Sequence, residues 1–141
     1  RAACMPIAGN LGDVTSIQVS TWLTGFPTRI KFLNKYFQHD RLAYDVQKLI
    51  LNNEVDLAIY INALSMDKIH INKKIKNIII GHPNTTFSSP PDIFIPIGTP
   101  GLDNNGILFR TDNVVTSHLN KVRELNILSM DSVLSTIGSS L

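Results

Sequence analysis

The chain has 141 residues, enough for one domain and for a core that hides about two-thirds of the unfolded surface. A hydrophobic content of 43% with 17% charged residues excludes a disordered or polyelectrolyte chain and leaves a somewhat apolar globular domain. The net charge of +2 comes from 13 basic and 11 acidic residues spread along the sequence, which excludes the basic stripe that a long nucleic acid requires.

In chain order, Gly9-Asn10-Leu11-Gly12 reads as a turn. It leads into a modest helix with Val14, Ile17 and Trp22 on one side, stopped by Thr24-Gly25-Phe26-Pro27. Ile30 and Phe32 alternate as a short strand would. Leu42, Val46, Leu49 and Ile50 recur at helical spacing, predicting a helix over residues 42–51 with Asp40 as its N-cap. Residues 55–61 and 78–80 are nearly continuous apolar runs, the pattern of strands buried on both faces. Between them lies a crossover long enough for a short helix through Met66, Ile69 and Lys73, which makes a right-handed βαβ unit.

A third strand is expected at residues 93–97, ending at its proline. Residues 106–112 and 114–122 predict two extended segments joined by an Asp-Asn turn. A closing helix runs through Met130, Val133, Leu134 and Ile137, with Asp131 in its first turn and Gly138 at its end. These elements predict a single α/β domain over 1–141. It has three layers, a mostly parallel sheet flanked by helices and covered on both faces, and a small carboxyl-terminal strand pair.

Cys4 is the only cysteine, so this chain alone cannot build a disulfide, a thiolate zinc cage or a four-cysteine iron–sulfur cluster, and a reducing, cytoplasmic setting fits. No apolar run reaches membrane-spanning length, and the start has no signal-peptide pattern, so Asn84-Thr85-Thr86 is not expected to be glycosylated. The four histidines, at 39, 70, 82 and 118, have no metal-ligand spacing, and no nucleophile with its base stands out. His82, before a proline, is expected to bond locally within its loop.

Residues 91–112, PDIFIPIGTPGLDNNGILFRTD, form the stretch that organises the rest. A buried strand ends at a loop in which Gly98, Pro100, Gly101 and Gly106 fix or free the backbone, and the next strand carries Arg110 and Asp112. The order of an Asp, an apolar strand ending in IP, then PG, an acid, a Gly and R-x-D resembles the molybdopterin-dependent oxidoreductases. More narrowly, it resembles the molybdopterin-type subunit of formylmethanofuran dehydrogenase and its counterpart in the bacterial formyltransferase/hydrolase complex. PIAGNLG at residues 6–12, W-x-TG-F-P at residues 22–27, EVD at residues 54–56, and Thr86 upstream of Asp92 agree in the same order.

That resemblance implies that the chain is the carboxyl-terminal α/β part of a larger subunit. In the family, a molybdopterin guanine dinucleotide with tungsten or molybdenum interconverts carbon dioxide and formate, and an amidohydrolase-like subunit joins formate to methanofuran. Thr86, Asp92, Gly101, Gly106, Arg110 and Asp112 are the positions that would approach the cofactor. The family's Gly-Ser-Asp-Pro-like loop reads Asn62-Ala63-Leu64-Ser65 here, so both the close-approach glycine and the acid are missing. Two roles follow. One is a catalytic subunit in one-carbon metabolism whose reacting groups lie on other polypeptide. The other is a structural subunit of the formyltransferase/hydrolase complex, with no cofactor bound by this chain alone. In the second, the loop over residues 98–105 and the Arg110 strand would meet a partner subunit. Arg110 and Asp112, two apart on an extended strand, are equally placed to pair with each other.

Overall fold

The structure is a computed structural model, and it describes residues 12–112 and 114–140. Cys4 and all of the first expected turn except Gly12 lie outside the described residues, as does Asn113 of the Asp-Asn turn. Helix α1, Asp13–Thr24, starts at Gly12 and stops at Gly25, both left-handed, with φ of 96° and 83°. Only Val14 of its expected apolar side is buried; Trp22 stands out from the surface and touches Phe109 edge-on, with ring centroids 5.4 Å apart. Strand β1, Ile30–Phe32, pairs antiparallel with β2, Phe37–His39, a partner that the sequence did not announce. Phe32 and Phe37 meet edge to face across this hairpin, at 5.3 Å.

Helix α2 is Val46–Leu51, shorter than expected at its amino end. Asp40 does not cap it. Its Oδ1 accepts from the N–H groups of Leu42 and Ala43, which closes a turn ahead of the helix. Asp45 is the N-cap, accepting from Lys48 N while its other oxygen pairs with Arg29 at 2.7 Å. The backbone of Asp45 is extended, with φ of −74° and ψ of 110°, so the helix does not reach back to residue 42.

Three parallel strands form the centre in the order β3-β4-β5: β3 is Leu57–Asn62, β4 is Lys76–Gly81 and β5 is Ile93–Pro96. The crossover from β3 to β4 contains no helix. Ile69 instead bridges to Phe87 as extended chain, and Asn72 and Ile75 close a turn before β4. Asn72 also donates to Ile50 O at 3.0 Å, so its amide holds the crossover against the end of α2, where polar turn residues outweigh the apolar spacing. Strands β6, Gly106–Phe109, and β7, Thr116–Leu119, form the expected antiparallel pair. Helix α3, Met130–Ser139, is capped by Ser129 and includes Gly138 rather than ending before it.

The α/β class, the parallel centre and the small strand pair agree with the sequence reading, but covering of both faces holds only in part. Paired positions of parallel strands share a face, so Leu57, Ile59 and Ile61 lie beside Lys76, Ile78 and Ile80. Val133 of α3 packs on Ile80, Ile97 and Ala63, and Ile79 on the opposite face is fully buried. Over β3 the layer stops, leaving Leu57, Ile59 and Ile61 about half exposed.

Candidate functional site

Strands in an open parallel sheet direct their carboxyl ends toward ligand-bearing loops, and here those ends are tied together by backbone bonds. His82 N donates to Asn62 O, and Ile97 N donates to Gly81 O. A Cβ on Gly81 would lie 2.9 Å from Asn62 O, so only glycine permits this closeness of β3 and β4. The imidazole of His82 accepts from Asn84 N through Nδ1 at 3.0 Å, the local loop bond expected of it.

The loop after β5 folds around Asp103. Its side chain is 2% exposed, with Oδ2 accepting from Thr99 N at 2.8 Å and Oδ1 from Arg123 Nε. The Arg123 guanidinium, then the Thr99 amide, hold this carboxyl below its ordinary value. Beside it, Thr99 Oγ1 and Asn104 Nδ2 are buried without a protein partner, as is Thr85 Oγ1 in the turn after β4. The group is polar and well packed, but it lacks a nucleophile joined to a base. Among the described residues, no three of His, Cys, Asp or Glu are placed to hold a metal ion.

A cleft of about 600 Å³ opens beside this cluster, between the start of α1, the outer face of β3, and β6. Its floor is apolar, with Ile59, Ile61, Leu64 and Ile107, while Asn62, Ser65 and Asp67 supply the polar rim. Thr15 on α1 accepts from Phe109 N at 2.9 Å and so fixes one wall.

The six residues singled out from the sequence lie in different places. Asp92 is at the amino end of β5, bonded to Asn77 at the amino end of β4. Thr86 is exposed, and its carbonyl accepts from Ile69 N. Gly101 and Gly106 both face the turn-and-hairpin packing around Leu119 and Pro100: added Cβ atoms would lie 3.2 Å from Leu119 Cβ and 3.1 Å from Pro100 Cβ. Arg110 and Asp112 bind each other through two guanidinium nitrogens on one carboxylate oxygen. That pairing holds the Asp112 carboxyl below its ordinary value. Asp92 precedes β5 and Gly101 lies in the loop that follows it. The six residues are thus divided among the amino end of β5, the turn after β4, the loop after β5 and the β6–β7 pair, and Asn62-Ala63-Leu64-Ser65, at the carboxyl end of β3, has neither a glycine nor an acid. The Asp103–Arg123 pair went unseen in the sequence because its partners are 20 positions apart in irregular chain, with no periodicity to connect them.

No family model matches the chain, and no curated protein matches it. Among solved structures, it is similar to a chain in the X-ray crystal structure of the formyltransferase/hydrolase complex from Methylorubrum extorquens in complex with methylofuran. The TM-score is 0.77 at 20% sequence identity, over 95% of this chain and 38% of that one. The likeness is one of fold, and this chain spans little more than a third of the matched chain's length.

Proposed function

We propose that this chain is a structural part of a formyltransferase/hydrolase-like complex of one-carbon metabolism, in the position of the molybdopterin-type subunit, and that it works in the cytoplasm through contacts with its partner subunits. The fold shared over 95% of the chain with a member of such a complex carries this reading. It is supported by the chemistry of the candidate residues, whose charged groups have partners within the chain: Arg110 pairs with Asp112, Arg123 with Asp103, and Asp92 is hydrogen-bonded by Asn77 and lies 3.7 Å from Lys76. A subunit that oxidised formylmethanofuran would keep such groups free for a bound nucleotide or substrate.

The test is isolation of the natural assembly, followed by native mass spectrometry and elemental analysis. The expected result is this chain in a complex with formyltransferase and amidohydrolase-like subunits, without tungsten or molybdenum in proportion to it. About one such metal per chain would favour the oxidoreductase role of the family. Recovery of those subunits as a fully active complex without this chain would defeat the proposal.

A further inference from the structure

Among the described residues, four side-chain atoms are buried without a protein partner, and three of them are on the two loops that leave the centre of the sheet. Thr85 Oγ1 is in the turn after β4, and Thr99 Oγ1 and Asn104 Nδ2 are in the loop after β5. The fourth, Ser89 Oγ, is on the segment that enters β5 from its other end. The two loops are held close. Gly81, the last residue of β4, accepts through its carbonyl from Ile97 N at 2.9 Å, and Gly98 follows directly. The open side of each glycine is turned to one of these groups: a Cβ on Gly81 would lie 3.4 Å from Thr85 Oγ1, and one on Gly98 would run into Asn104 Nδ2. Besides Arg123 and the Thr99 amide, His82 of the first loop helps to lower the Asp103 carboxyl of the second.

The nearby backbone acceptors are already engaged. Gly81 O receives Ile97 N, Asn62 O receives His82 N, and Thr99 O receives the N–H groups of Leu102, Asp103 and Asn104. A threonine hydroxyl at the head of such a turn ordinarily takes one of those N–H groups itself; here the carbonyl takes all three and Oγ1 is left unspent. Thr85 is 6% exposed, so bulk solvent does not serve its hydroxyl. Buried hydroxyls and amides in native proteins find their partner in protein or in ordered water.

The chemistry of the group selects the partner. Each hydroxyl donates and accepts, and the amide nitrogen only donates. An anion is opposed by the Asp103 carboxylate, 2% exposed and bonded to Thr99 N, and a cation by the Asn104 amide hydrogens and the Arg123 guanidinium. A water molecule donates and accepts, and a buried one makes about three hydrogen bonds, which these three groups supply. We infer that Thr85, Thr99 and Asn104 form a site for one buried water, which ties the loop after β4 to the loop after β5 as a fixed part of the fold. The water accepts from Asn104 Nδ2 and exchanges hydrogen bonds with both hydroxyls, so the two strand ends are pinned relative to each other. The site is independent of the complex-subunit reading.

The experiment uses the full chain. A crystal structure at a resolution that shows solvent is expected to place one water within about 3.2 Å of Thr85 Oγ1, Thr99 Oγ1 and Asn104 Nδ2. In urea titrations, Thr85→Val and Thr99→Val are each expected to lower the folded-to-unfolded ratio about tenfold, because the side-chain shape is kept and the water loses a partner. The Thr85→Val/Thr99→Val double variant is expected to lose much less than the product of the two, since the second change finds the water already displaced. Valine variants as stable as the wild type, or more stable, would show hydroxyls that hold no water and would overturn the inference. Full additivity would overturn it too, by assigning the two hydroxyls to separate partners. So would density in which either hydroxyl donates to a protein carbonyl or meets an ion or an organic molecule. If a valine variant does not fold, the wild-type density decides alone.

Discussion

Asn77 and Asp92 exchange three hydrogen bonds: Asp92 Oδ2 accepts from Asn77 N at 3.0 Å and from Asn77 Nδ2 at 2.7 Å, and Asp92 N donates to Asn77 Oδ1 at 3.0 Å. The pair closes the amino ends of β4 and β5 as a rung made by side chains, with Lys76 3.7 Å from the same carboxylate. Asn77 is 4% exposed, so loss of the carboxylate leaves its backbone N–H without that acceptor, while Nδ2 keeps only its bond to Ile75 O at 3.2 Å. Asp92→Ala is expected to cost about 1–3 kcal/mol in a urea titration, and Asp92→Asn about half of that. An Asp92→Ala protein as stable as the wild type would remove the clamp from the account of the fold.

The carboxyl of Asp103 is held below its ordinary value of 3.8 first by the Arg123 side chain and then by the Thr99 amide. A depressed carboxylate contributes stability that is complete above the unfolded value and is lost as pH falls through the folded one. The loop after β5 is therefore expected to loosen as pH falls below about 4. Amide exchange at Thr99 between pH 6 and 3 measures it, and Asp103→Asn should flatten that acid limb. Asp112, lowered chiefly by Arg110, and Asp40, lowered chiefly by the Ala43 amide, have the same sign, so global acid sensitivity persists in the variant.

Two glycines of opposite circumstance give a paired test. A Cβ on Gly98 would lie 2.3 Å from Asn104 Nδ2, 2.9 Å from Asp103 Cβ and 3.0 Å from Ile127 Cγ2. Gly98→Ala is expected to destabilise by about 1–3 kcal/mol through overpacking. Nothing lies within 4 Å of a Cβ on Gly138, which is inside α3. Gly138→Ala is expected to stabilise by about 0.5–1 kcal/mol, read as a rise in thermal midpoint.

Burial separates the isoleucines of the sheet as sharply. Ile79 and Ile97 are 0% exposed, and replacement of either by Ala is expected to cost about 2–5 kcal/mol. The same change at Ile59, 56% exposed, is expected to cost under about 1 kcal/mol in the isolated chain. Chemical denaturation of the three variants side by side checks the order.

The parallel centre was legible because apolar runs at residues 55–61, 78–80 and 93–97 combine strand length with a lack of polar alternation. The same lack of alternation overstated the covering of β3, because it does not tell whether the second face meets this chain or another. The crossover around Met66 and Ile69 was misread for a different reason. Helical spacing was present, but Asn72 and the Ile69–Phe87 bridge offered the backbone better partners. Of the candidate site, the Arg110–Asp112 pairing could be read from period-two geometry. Asp92 carried no local sign that Asn77, 15 positions earlier, would take up its carboxylate.

Phe109 receives Thr15 and Trp22 of α1 from a distance of 94 and 87 positions in sequence. At about 5–20 residues per second of synthesis, α1 emerges roughly 5–20 s before the strand that holds it. Through that interval Thr15 and Trp22 lack this native partner. The contact between α1 and β6 thus forms late in synthesis, and α1 is a segment that a ribosome-associated chaperone would be expected to hold until then.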